Sequence, residues 1–127
     1  MQLRPSKFWV IVLLLSAGTF CFAGDDREEV FKGEISDSQC AFNVHSATRS
    51  HDEMLKTKTM GSTPADCVRI CVKNLGGQFV LQTKDKVYKL DNQYLAGKTP
   101  AQKVKVSGVL DPKTNTITVK SIDPLQE

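Results

Sequence analysis

The chain has 127 residues, 40% of them hydrophobic and 24% charged, with 17 basic and 14 acidic side chains and a formal net charge of +3. This length allows for one small domain with a single modest core. Because the charges nearly balance, neither nucleic acid nor an anionic membrane is expected as a partner.

The first 23 residues have the pattern of a secretory signal peptide. Arg4 and Lys7 form a basic start, an apolar run follows from residue 8 to residue 20, and Ala23 is the small residue before the expected cleavage site. The apolar run is shorter than the roughly 20 residues that a membrane-spanning helix needs. We therefore expect an exported protein, periplasmic or extracellular, with no membrane contact after cleavage.

Two other fates of this leader remain open. It could stay uncleaved as an N-terminal anchor. Lipid attachment through Cys21 is less favoured, because bulky Phe20 precedes it where a small residue is needed.

The rest of the chain is expected to be a flexible leader at 24–29 and one domain at 30–124, with a helical insertion at about 50–76. Alternation of apolar and charged residues predicts a strand over residues 30–36. A capping box formed by Ser50 and Glu53 predicts a short helix over 51–58.

A second helix is predicted between Thr63, as its cap, and the glycine pair that begins at Gly76. Pro64 suits its first position and Asp66 suits the positive end of its dipole. At about 100° per residue, five side chains share one apolar arc. These are Cys67, Val68, Cys71, Val72 and Leu75.

The remainder is predicted to be β-rich. One hairpin is expected over residues 78–91, and a second over 103–123 around the turn Asp-Pro-Lys-Thr-Asn. A linker or single helical turn separates them at 92–100. Five strands with one or two short helices predict a mainly β fold, a small five-stranded antiparallel OB-like barrel, with a sheet packed under the cysteine-bearing helix as the alternative.

Cys40, Cys67 and Cys71 are the cysteines that remain after the leader, together with His45 in the first loop. Two ligands four residues apart on one helix face can hold a single ion. With Cys40 and His45 they form a Cys₃His set, suited to zinc or to monovalent copper. Three further side chains of the same region could substitute as ligands: His51, Met54 and Met60.

A disulfide is the alternative for the same residues. Residues four apart in a helix have Cβ atoms about 5–6 Å apart, whereas a disulfide needs roughly 3.5–4.5 Å. Cys40 paired with Cys67 or with Cys71 is therefore the more natural bridge, and it would leave one thiol free. A Cys40–His45 nucleophile pair and thiol–disulfide exchange are less favoured, since no orienting third group and no Cys-x-x-Cys motif is present. Asp37 is expected to shape a turn, or else to support Cys40 from behind.

Several segments resemble a family of small exported bacterial domains of unknown function. They are GEISDSQC at 33–40, CVRICVKNLGGQFVLQ at 67–82, KVYKLDNQ at 86–93 and the final hairpin, so the resemblance covers roughly residues 30 to 122. It implies the fold and export, and it implies no reaction.

The sequence as a whole predicts an exported, non-enzymatic binding module that holds zinc or copper through Cys40, His45, Cys67 and Cys71. A disulfide-stapled scaffold without metal, which recognises an envelope or extracellular partner or a small ligand, is the alternative.

Overall fold

The computed structural model describes residues 26–42, 56 and 60–126. The ranges 26–42 and 60–126 contain five strands and three helices. They are β1 (Glu29–Asp37), α1 (Ser38–Ala41), α2 (Pro64–Asn74), β2 (Phe79–Gln82), β3 (Val87–Leu90), α3 (Gln93–Ala96), β4 (Lys103–Asp111) and β5 (Thr116–Pro124). Among these described residues, no helix is long and apolar enough to cross a membrane.

The strands follow the predicted apolar periodicity. Val104, Val106 and Ile117 are fully buried, while the lysines that alternate with the two valines of β4 are exposed. The single helical turn expected between the hairpins is α3, capped by Asn92, whose side chain accepts the N–H of Leu95. The mainly β character of the fold is therefore confirmed.

The five strands close into a ring in the order β1-β2-β3-β5-β4. Four of the five neighbouring pairs are antiparallel, and β3 and β5 are parallel, with Leu90 opposite Ile117. The expectation of a purely antiparallel sheet is thus wrong. Strand directions cannot alternate all the way around a closed ring with an odd number of members, so one parallel pair is unavoidable.

The main core fills this ring and extends to α2. Its fully buried members include Ile35, Val68 and Leu81. The predicted start of α2 is confirmed, because Thr63 and Asp66 form a reciprocal capping box with Pro64 at the first position. Leu75 departs from the predicted apolar arc: it is the C-cap, beyond the last helical turn, and it is 45% exposed.

Helix α1 was not predicted, because four residues are too few to show helical periodicity. The helix predicted at 51–58 lies outside the described residues apart from Lys56, and so does the leader up to residue 25.

Gly108 permits the close pairing of β4 and β5 at a register shift between Ser107 and Gly108. A Cβ atom here would collide with the Thr118 carbonyl oxygen and lie 2.8 Å from Cγ2 of Ile117. Both neighbours belong to a packed strand, so they cannot move aside cheaply.

We expect Gly108→Ala to lower the free energy of unfolding by about 2–3 kcal/mol, measured by chemical denaturation. Gly76→Asn is the control, because nothing lies within 4 Å of a Cβ there and asparagine tolerates its φ of 74°. Equal effects of the two substitutions would contradict this account of Gly108.

Candidate metal centre

Three cysteine side chains converge between α1 and α2. The Sγ atoms of Cys40, Cys67 and Cys71 all lie within 4.8 Å of one another. The three are free thiols. Cys67 and Cys71 are fully buried, and Cys40 is partly exposed, so the cluster faces solvent through Cys40.

Helix α2 packs on two sides, and this packing fixes the positions of Cys67 and Cys71. Val68 joins the main core, whereas Cys67 and Cys71 form a second, smaller cluster with Met60. Cys40 and Ile70 pack against this second cluster. One helical turn separates the two buried sulfurs along the chain, so both point to the same side of the helix.

Cys40 is placed by the cap of α1. Asp37 ends β1 fully buried, and its Oδ1 accepts the N–H of Gln39 at 3.0 Å and that of Cys40 at 2.8 Å. The prediction that Asp37 shapes a turn is confirmed by these bonds. The cap turns the chain abruptly out of the strand, and Cys40 comes to face α2.

Further hydrogen bonds tie α1 to the segment that follows α2. Ser38 donates its N–H to the Gln78 carbonyl at 2.8 Å, and the Ser38 hydroxyl accepts the N–H of Gln78 at 3.0 Å. The Gln39 amide donates to the Leu75 carbonyl. These hydrogen bonds hold α1 against the segment after α2, and so hold Cys40 near the two cysteines of α2.

The Asp37 carboxylate also lies close enough to the sulfurs for its charge to act on all three thiols. Burial raises the pKa of the Cys40 thiol strongly, and the charge of Asp37 raises it further. Burial likewise raises the pKa of Cys67, and it raises that of Cys71 to about 12 with the charge of Asp37 as the second cause. Without an ion, the three side chains are neutral thiols at pH 7.

The spacing of the sulfurs fits one thiolate-bound ion. With Zn–S bonds of about 2.3 Å, the sulfurs of a tetrahedral site lie roughly 3.8 Å apart. The observed limit of 4.8 Å is close to this value, so small side-chain rotations suffice to bring three thiolates onto one ion. A disulfide of about 2.05 Å requires a larger approach of two sulfurs.

Of the four predicted ligands, Cys40, Cys67 and Cys71 are brought together, and His45 lies outside the described residues. The sequence did not predict that Met60 and Asp37 are buried beside the cysteines. Asp37 could have been found as a helix cap, since an aspartate three residues before Cys40 has the spacing of an N-cap bond. No sequence pattern marks Met60, because its burial depends on how the loop before α2 folds back.

Comparison with known proteins gives one similarity. Residues 71–125 match a family described as "Protein of unknown function (DUF5818)". The matched segment contains β2 to β5 and Cys71, and leaves out Cys40 and Cys67. Comparisons with curated proteins and with solved structures give no match. The last four strands are thus similar to an uncharacterised domain, and the case for a function comes from the cysteine cluster.

Proposed function

We propose that this chain is an exported, non-enzymatic binding module that holds one zinc or copper ion through Cys40, Cys67 and Cys71. The observation that carries the proposal is the convergence of three sulfurs from two helices, two of them fully buried. Thiolates are preferred ligands of both ions. His45 is a candidate for the fourth position.

The surroundings of the sulfurs support a structural site more than a catalytic one. A catalytic zinc keeps an open position for water or substrate, whereas a structural site is closed. Here two of the three sulfurs have no exposed surface, and Cys40 is only partly open. The ring order, with α3 between β3 and β4, supports an OB-like barrel as the scaffold. Such scaffolds host many functions, so the assignment rests on the site.

A disulfide-stapled scaffold without metal is the second candidate. Cys40 lies on a different helix from the other two cysteines and within 4.8 Å of both, which favours it as one partner of a bridge. A bridge from Cys40 would close a loop of about 27 or 31 residues, worth roughly 3–4 kcal/mol in loop entropy. It predicts one reactive thiol per denatured chain outside the leader, whereas the metal site predicts three.

We expect Cys67→Ser to weaken zinc binding by more than about 100-fold, because loss of a ligand exceeds the 10–100-fold effect of an outer contact. The measurement is zinc per chain, after anaerobic loading and removal of free metal, followed by competition with a chelator. Val68→Ala is the matched control, since Val68 is the next residue of α2 and equally buried but carries no sulfur. Binding that is absent from the parent chain, or unchanged in Cys67→Ser, would contradict the proposal.

The metal-free protein should lose stability in alkali. The pKa of the Cys71 thiol rises on folding from 9.0 to about 12. The stability that the neutral thiol contributes is therefore complete below pH 9.0 and is lost as the pH rises towards about 12. We expect the Tm of the metal-free chain to fall over this range, and to fall less in Cys71→Ser. With zinc bound, the Tm should instead rise with pH up to pH 9, because zinc binding displaces protons from the cysteine ligands. Identical Tm profiles for the parent and Cys71→Ser would argue against buried neutral thiols.

A further inference from the structure

The sulfur cluster contains a fourth sulfur-bearing side chain, which points to the identity of the ion. Met60 is 8% exposed and belongs to the same buried cluster as Cys67 and Cys71. It comes before the cap of α2, on the cysteine side of the helix. Within the part of the chain that the structure describes, Ile70 is the one side chain in or against this cluster that carries no sulfur.

The position of Met60 is fixed by the backbone that follows it. Gly61 has a φ of +86°, and a Cβ there would collide with Asp66, so only glycine allows the chain to lie this close to the first turn of α2. Asp66 then accepts the N–H groups of Ser62 at 3.3 Å and Thr63 at 3.1 Å. The loop is therefore held against the helix, and the Met60 side chain packs in the cluster instead of lying on the surface.

We infer that the Met60 thioether is the fourth ligand of the proposed cysteine site, and that the site takes monovalent copper in preference to zinc. This inference rests on the proposed function. Softness of the donors is the basis: thiolate and thioether together are the ligands of Cu(I), whereas structural zinc sites are completed by thiolate, imidazole or carboxylate. Charge alone would favour the divalent ion beside Asp37. The covalent character of Cu(I)–sulfur bonds outweighs it, because all four donors are sulfur.

The site's exposure agrees with a monovalent ion. Two of the three cysteines together with Met60 supply an almost dry, sulfur-lined wall, and soft sulfur donors of this kind suit Cu(I). The Asp37 carboxylate lies beside this wall, and its Oδ1 already accepts the N–H groups of Gln39 and Cys40. Cys40 is the partly exposed member, so an ion held by a soluble thiol can reach the site through it by ligand exchange.

Met60→Leu tests the inference, because it removes the thioether while keeping an apolar side chain of similar volume. Cu(I) and zinc affinities are both measured, anaerobically and by chelator competition, on the full chain. We expect Cu(I) binding to weaken at least about tenfold and zinc binding to stay unchanged. Ile70→Val is the matched control, because it changes the packing of the same cluster and removes no sulfur atom. It should leave both affinities unchanged.

The outcomes separate the two proposals. Zinc and Cu(I) affinities that are both unchanged in Met60→Leu would overturn the role of Met60 and leave the cysteine site standing. A parent chain that binds neither ion would overturn the site itself. Copper-edge X-ray absorption of the unaltered protein checks the ligand without any substitution. Three short Cu–S distances with a fourth, longer sulfur support Met60, and a nitrogen in place of the fourth sulfur overturns it in favour of an imidazole.

Discussion

The carboxylate of Asp37 is the constraint on which the arrangement of the site depends. It is fully buried where β1 ends, it accepts two backbone N–H groups of α1, and its charge acts on the neighbouring thiols. A buried carboxylate is costly unless hydrogen bonds compensate it, and here those bonds also set the direction in which Cys40 leaves the strand. The same group that orients Cys40 also raises the pKa of the Cys40 and Cys71 thiols, as the second cause after burial.

Helix α2 connects this site to the rest of the fold. Its Val68 face completes the core inside the strand ring, and its cysteine face forms the sulfur cluster. The capping box at Thr63 defines where the helix begins, and the N–H groups of Leu75 and Gly77, which donate to the Cys71 carbonyl, define where it ends. A rigid helix thus carries two of the three cysteines, while α1 brings the third from a separate part of the chain, and the proposed metal site needs both elements.

The sequence predicted most of the strands and α2, since their signals are local. Alternation in β4 and β5 and the Thr63–Asp66 capping box require only neighbouring residues to be recognised. The parallel pairing of β3 with β5 was missed, because it follows from closure of the ring and not from any strand's own pattern. At the site, the i, i+4 spacing of Cys67 and Cys71 indicated a shared face. The approach of Cys40 to these two cysteines was assumed from the chemistry of thiols, since no local pattern predicts it. The burial of Met60 depends on the positive φ of Gly61, which composition does not reveal.

The central claim is that three sulfurs from two helices converge on one ion. Native mass spectrometry of the chain, isolated anaerobically from cells without added metal, tests it most directly. The account predicts a chain carrying a single metal ion, whose release by acid returns the mass expected for fully reduced cysteines. A metal-free chain that lacks two hydrogens, and so holds a disulfide among these cysteines, would contradict it.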